Sequence, residues 1–467
     1  MNIPFVPFVR VFSSSMLRAL PIFFIVAFVY SQTLPVPITD VRGRQLNFDF
    51  PEMRVGVAEY DEGPTGTTVF YFPDGVKAAV DVRGGAPGTV NAAALMNAYD
   101  TKMMEAIVFS GGSWYGLSAA TGVANAIKDQ KLKEGDPNFI AGVVAAIIYD
   151  VGGRRLSRVT PDDALGRAAL HSAKPGWFPL GARGAGRSAN QGWYFVRNLP
   201  FESLSARWPH SGQGGAFKQI GETKIAVFTV VNALGAVTDR NGKVVRCGRN
   251  VPEGDCPLVA DLIRETAGAS EKKAEESGKT KNTTLTLFVT NQKMPFSSLQ
   301  RIAKQIHGSM ARAIQPFSTR EDGDVLYAVT TDQVENPGLD IVDLGVIGSE
   351  LAWDAVLSSV PEVPPLPKPL DTPPAPETLK KFEGDYEFNK FWRMGVFLEN
   401  GELVVKFGGS WQIFFNKPSH RLIPAEGGQF IVDLPAKDVI RFDLEGGRVT
   451  GLTLNRGPWA NKAKKTK

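Results

Sequence analysis

Asn282-Thr283-Thr284-Leu285-Thr286-Leu287-Phe288-Val289 sets an Asn-Thr bond directly before a strand-like apolar run. If that bond breaks, the chain starts anew at Thr283 with a hydroxyl and a free α-amine on one residue, so nucleophile and general base arrive together. No histidine is then required. The alternative is a loop that turns into a buried strand, with threonine chosen for its β-propensity. The flanking sequence bears on the choice.

Upstream, the segment 269–281 is polar and rich in Lys, Glu and Ser, a composition that favours mobility over packing. Downstream, Ser297 with Gln300 reads as a capping box that opens a helix carrying Leu299, Ile302, Ala303, Ile306, Met310, Ala313 and Ile314 on one face. That helix is expected to lie on a sheet containing the Thr283 strand. Further strand-like runs at 67–72, 143–149 and 225–231 alternate with helix-like stretches such as 118–127, so helix and sheet are mixed.

Amide chemistry needs a nucleophile, a base, donors for an oxyanion and a carboxylate for an ammonium group. Asn232 ends the apolar run Val230-Val231, where its amide could face a developing oxyanion, and Tyr149-Asp150 ends another run in the same way. Glu321-Asp322-Gly323-Asp324 offers carboxylates before the strand Val325–Val329. Taken singly, each is also explained by the preference of Asn and Asp for strand ends and turns. Tyr149 alone would pass for a core aromatic.

Other chemistries find less support. The four histidines, His171, His210, His307 and His420, form no HExxH and no ligand spacing with cysteine, which argues against a zinc hydrolase. Ser110-Gly111-Gly112-Ser113-Trp114-Tyr115-Gly116 approaches a nucleophile elbow, but Tyr115 stands where that elbow needs glycine; a tight strand-to-helix turn fits better. The glycines of 181–187 run in the reverse order of the dinucleotide fingerprint and read as a loop over a pocket. No cofactor or metal is expected. With 52 basic against 48 acidic residues and no basic stripe, neither is nucleic acid.

At 467 residues the chain has room for two or three domains. Residues 1–31, with Arg10 and Arg18 before the apolar run 20–30, read as a signal peptide, an uncleaved membrane anchor being the alternative. Export to a periplasmic or extracellular compartment follows on either reading. The two cysteines, Cys247 and Cys256, then fit one local disulfide. Residues 32–360 form the main domain, 361–374 a proline-rich linker, and 375–467 a small β-barrel of short strands, including 411–415. That last segment resembles the lipocalin-like β domain appended to exported hydrolases.

Seven separated motifs then fall in one order: Gly66-Thr67-Thr68, Arg83-Gly84-Gly85-Ala86-Pro87-Gly88-Thr89, Phe109-Ser110-Gly111-Gly112-Ser113, Tyr149-Asp150, Asn232-Ala233-Leu234-Gly235, Asn282-Thr283-Thr284 and Asp322-Gly323-Asp324. Over residues 50–355 the chain resembles the self-processing aminopeptidases that include L-aminopeptidase/D-esterases and β-peptidyl aminopeptidases. The resemblance implies an α+β fold, a four-layer αββα sandwich, cut into an α chain ending at Asn282 and a β chain starting at Thr283. It implies Thr283 as nucleophile, Asn232 in the oxyanion hole, and Tyr149 bonded near the nucleophile or the substrate amine. Asp322 and Asp324 stand where some members carry serine and glutamate, and either is a candidate for the substrate ammonium. Arg187 departs from the family's small loop, which points to a different substrate preference.

The reaction implied is hydrolysis of N-terminal peptide, amide or ester bonds in small substrates, by a homo-oligomer of αβ units. A non-peptide acyl-amide hydrolase of the same fold is one alternative. An uncut exported binding protein, working through its barrel, is another.

Overall fold

A computed structural model of the chain describes residues 34–96, 100–150, 158–196, 199, 210–249, 251, 254–268, 282–409, 419–434 and 437–466. The leader expected at 1–31, the polar segment 269–281 and the strand expected at 411–415 lie outside the described residues.

The strand after Asn282 spans Thr283–Gln292 and is buried along its whole length. It pairs antiparallel with Thr223–Asn232 and parallel with Val325–Val334. Val325–Val334 in turn pairs with the second half of a long strand, Thr65–Val82. The first half of that long strand pairs elsewhere, with Arg54–Tyr60 on one side and Met104–Ser110 on the other, and Met104–Ser110 runs parallel to Val143–Ile147. The hand-over falls at Pro73-Asp74-Gly75, where Gly75 takes φ +66° and the register slips between Tyr71 and Val76. Proline offers no N–H to a ladder and glycine takes the left-handed backbone freely, so the strand bends there and feeds two sheets.

Those sheets lie face to face. Phe70 and Phe109 from one share a core with Phe228, Leu285, Leu287 and Tyr327 from the other. The Phe70 and Phe228 ring centroids are 5.1 Å apart, and the Tyr327 hydroxyl donates across the layer to the Ala145 carbonyl at 2.9 Å. Each fully buried ring of this kind contributes roughly 1.5–3 kcal/mol. On one outer face the helices Ser118–Lys133 and Asp163–His171 pack Val123, Ile127 and Leu165 against Val69 and Val108. On the other, Phe296–Ser309 and Ile341–Ser358 pack Ile302, Ile306 and Val356 against Val227, Phe288 and Leu326. Helix, sheet, sheet and helix give the four-layer αββα sandwich. Burial on both faces is why these strands read as unbroken apolar runs rather than alternating ones.

One helix start differs from expectation. Pro295 occupies the N-cap of Phe296–Ser309 and no side chain caps it, so the Ser297/Gln300 capping box does not form. Ser297 sits inside the first turn, too deep to cap. Met310, Ala313 and Ile314 are buried as expected, but they lie beyond the helix end at Ser309, in a 3-10 turn and a two-residue strand.

Eight strands from Gly384–Asn389 to Asn461–Lys465 close into a barrel. Tyr386, Met394, Val405, Phe430, Phe442 and Leu452 belong to its buried core. The proline-rich segment is stitched to it, Leu370 N–H donating to Pro424 O at 3.0 Å and Glu426 N–H to Lys368 O at 2.9 Å. Cys247 and Cys256 form the local disulfide. Among the described residues, no helix is long and apolar enough to cross a membrane.

Candidate active site

Thr283 and Asn232 are register partners at one end of the antiparallel pair that joins their strands. Side chains alternate along a strand, so Thr283 shares a face with Leu285 and Leu287, and Asn232 with Val230 and Phe228. All four of those apolar residues belong to the core between the sheets. Thr283 and Asn232 therefore stand side by side at the mouth of the intersheet layer, each 2% exposed.

The Asn282-Thr283 junction is hydrogen-bonded at its carbonyl. Thr283 Oγ1 donates to Asn282 O at 2.5 Å, and the main-chain N–H of Gly323 donates to the same oxygen at 2.7 Å. Asn282 is itself bridged in parallel to Asp322, its N–H reaching Glu321 O at 3.2 Å. A carbonyl that accepts two donors is polarised toward attack, and the hydroxyl that would attack lies against it. Gly323 has to be glycine: a Cβ there would come within 2.7 Å of Thr283 Oγ1 and 2.6 Å of Ala86 O.

Asn232 is held by both ends of its amide. Its Oδ1 accepts the Asn190 N–H at 3.0 Å, and its Nδ2 donates to the carbonyl of Tyr149 at 3.0 Å. The two bonds fix which end is oxygen and which is nitrogen. Nδ2 carries two protons, so one remains for a further acceptor. Tyr149 thus enters this network through its main chain.

Asp322 and Asp324 flank Gly323, 1% and 0% exposed. Asp322 Oδ1 accepts the Leu234 N–H at 3.2 Å, while Oδ2 accepts the N–H and the hydroxyl of Thr319 at 2.8 and 2.7 Å. Asp324 Oδ1 accepts the Thr284 N–H at 2.6 Å and Oδ2 the Ser318 N–H at 3.1 Å. Burial pushes Asp322 above the usual carboxylate range, its hydrogen bonds opposing the rise. Asp324 is pushed up further, by burial first and by the neighbouring Asp322 second. These carboxylates grip the backbone around Thr283: Asp324 the peptide after it, and Asp322 the turn that carries Gly323.

The Arg83-Gly84-Gly85-Ala86 run packs on that turn. Gly84 and Ala86 donate N–H groups to Asp324 O and Asp322 O at 3.3 and 2.9 Å. A Cβ on Gly84 would lie 2.2 Å from Asp324 N, and one on Gly85 2.4 Å from Arg320 O, so only glycine allows this approach. Ser113 lies in the turn between Met104–Ser110 and Ser118–Lys133, as the failed elbow motif implied. Asp150 Oδ1 accepts the Gly112 N–H of that turn at 2.8 Å.

Arg187 is 5% exposed and bound away from solvent, pairing with Glu59 Oε2 at 3.1 Å and Asp61 Oδ1 at 2.5 Å. Gly323, Gly84 and Asn190 are participants that residue-type reasoning did not single out. The Asp-Gly-Asp spelling hinted at Gly323, whereas nothing local marks Asn190, whose contact with Asn232 spans 42 residues. Among the described residues, no cluster of His, Cys, Asp and Glu could hold a metal ion.

The sequence profile of peptidase family S58 matches residues 38–197 and 202–362, and the chain belongs to that family. It is 39% identical over 333 residues to a 6-aminohexanoate-oligomer endohydrolase of Paenarthrobacter ureafaciens, covering 69% of this chain and 88% of that protein. A putative NylC-analogous protein of Agromyces sp. is 40% identical over 324 residues, 67% of this chain and 99% of its own. Among solved structures, the L-aminopeptidase D-Ala-esterase/amidase of Ochrobactrum anthropi aligns over 69% of this chain and 88% of that one, at 14% identity and a TM-score of 0.46.

Proposed function

We propose that this family S58 hydrolase cuts its own chain between Asn282 and Thr283 and then hydrolyses amide bonds through an acyl-enzyme on Thr283. The observation that carries the reading is the junction itself, where Thr283 Oγ1 and the Gly323 N–H converge on the Asn282 carbonyl. In self-cleavage Oγ1 attacks the Asn282 carbonyl carbon, the C–N bond breaks, and the peptide nitrogen takes the proton and becomes the α-amine of Thr283. Water then cleaves the ester and frees the Asn282 carboxylate.

In turnover the new amine, with an ordinary pKa of roughly 7.7–8.0, accepts the Oγ1 proton as Oγ1 attacks the substrate carbonyl. The oxyanion takes the spare N–H of Asn232, the proton passes to the leaving amine, and water releases the acyl group. Asp324 and Asp322 act as positioning residues in this scheme.

The substrate class is a linear amide, terminal peptide bonds included. Two considerations favour a broad amidase over a strict aminopeptidase. Each oxygen of both aspartates already accepts a bond from the protein, which leaves them poorly disposed to bind a substrate ammonium. The relative from Paenarthrobacter is named for opening 6-aminohexanoate oligomers from within. Incubating the purified protein with 6-aminohexanoate trimer and with dialanine, and weighing the fragment that begins at Thr283, tests the proposal. A mass gain equal to the acyl group supports it, and turnover with that fragment never acylated would refute it. Export and assembly into an oligomer of cut units belong to the same proposal, testable by N-terminal sequencing and light scattering.

A further inference from the structure

The barrel's turn Gly457–Trp459 meets the sandwich beside the loop that orients Asn232. The Trp459 ring, 7% exposed, stacks on His210 with centroids 3.7 Å apart and planes 10° from parallel. One residue earlier, the Pro458 carbonyl accepts Arg187 Nε at 3.1 Å. Arg187 and His210 anchor the two sides of a short stretch of backbone. His210 is bridged antiparallel to Asn190, and Ser211 N–H donates to Ala189 O at 3.0 Å. The Asn190 N–H then holds Asn232 Oδ1. The path from barrel to nucleophile runs Trp459, His210, Asn190, Asn232, and each link is a contact.

The stack is a contact of ring faces. Among the described residues neither Trp459 Nε1 nor His210 Nδ1 has a hydrogen-bond partner, and the contact between the two side chains is the overlap of their rings. Burial, and after it the nearby Arg246, lowers the His210 pKa to about 3, which keeps the ring neutral near neutral pH. Stacking takes both ring faces out of water, and the His210 backbone beside Asn190 is placed along with its ring.

We propose that Trp459 is a positioning residue for amide hydrolysis: by seating His210 and the 187–190 loop, the C-terminal barrel holds the Asn232 amide in its oxyanion-binding orientation. The proposal rests on the role given to Asn232 above. It assigns the barrel a part in turnover itself, and it accounts for Arg187, whose charge is spent on Glu59, Asp61 and the barrel carbonyl rather than on substrate. Self-cleavage does not depend on the Trp459–His210 stack, because the Asn282 carbonyl is held by Gly323.

The test uses the full chain with Trp459→Ala, Trp459→Phe, Asn232→Ala and the double variant Asn232→Ala/Trp459→Ala, assayed on 6-aminohexanoate trimer and dialanine. Trp459→Ala should still self-cleave, and its kcat should fall about ten- to a hundredfold, the scale of a group displaced by an ångström or less, with KM little changed. Trp459→Phe keeps the overlap and should recover most of the loss. In the Asn232→Ala background Trp459→Ala should add nothing, since both act through one group. A normal kcat for Trp459→Ala, or an equal further loss in the Asn232→Ala background, overturns the proposal. If Trp459→Ala shows no cooperative melt, Trp459→Leu keeps the apolar volume without the stack and is judged by the same criteria. Activity surviving Thr283→Ala would instead refute the nucleophile assignment, and the role given to Trp459 would fall with it.

Discussion

The main-chain N–H of Gly323 donates to the carbonyl oxygen of Asn282 at 2.7 Å, while Asn232, the register partner of Thr283, spends its known bonds on Asn190 and Tyr149. On the proposed mechanism the two acyl transfers at Thr283 draw on different donors: Gly323 for the chain's own carbonyl, Asn232 for a substrate's. Asn232→Ala should still be cut in two, and its kcat should drop about a hundredfold to a thousandfold, the usual cost of one oxyanion donor. Gel analysis and steady-state kinetics on one preparation check both halves; an uncut Asn232→Ala chain with a folded melt would contradict the division.

The glycines around the junction are open to the same kind of test. Gly323→Ala would thrust a methyl group to within 2.7 Å of Thr283 Oγ1, so the folded chain should stay largely uncut. Gly84→Ala meets the backbone of Asp322 and Asp324 instead and should destabilise by about 1–3 kcal/mol, as overpacking does, besides slowing the cut. Normal processing of Gly323→Ala, read by mass spectrometry over a time course, would show that the junction accommodates a methyl group beside Thr283 Oγ1.

Free and N-acetylated forms of one peptide should be hydrolysed at rates within about tenfold of each other. A site built around a substrate's polar group rejects the analogue lacking it by roughly ten-thousandfold or more. Asp322 and Asp324 are already satisfied by backbone donors. A loss on that larger scale after acetylation would return one of the aspartates to the role of ammonium binder.

Asp324 carries a pH signature. Its carboxyl is raised above the ordinary range by burial and by Asp322, so the folded chain binds a proton more tightly than the unfolded one. The stability it contributes is therefore full below about pH 4, the unfolded value, and is lost as pH rises through the folded pKa. Asp324→Asn, uncharged throughout, should flatten the fall of Tm with rising pH across that interval. An unchanged slope would mean that the carboxyl titrates normally.

Much of this was legible in the residues because it is local. The apolar runs marked the strands of both sheets, and the order of the seven motifs pointed to their sandwich. The Asn282-Thr283 junction announced itself by residue type. What escaped depends on long-range register. Asn190 reaches Asn232 only after the chain has crossed between them, and Trp459 meets His210 across 249 residues (459 − 210). The Ser297/Gln300 pair failed as a capping box for a nearer reason: Pro295 takes the N-cap two residues early and leaves Ser297 inside the first turn.

On the proposed mechanism Thr283 becomes both a new N-terminus and the nucleophile. Intact mass measurement of the purified wild-type chain beside Thr283→Ala tests it directly. Expected for the wild type is a fragment whose N-terminus is Thr283, and for Thr283→Ala a folded, uncut and inactive chain. A wild-type preparation that hydrolyses amides while showing only the uncut chain, or a Thr283→Ala chain that is cut and active, would contradict it.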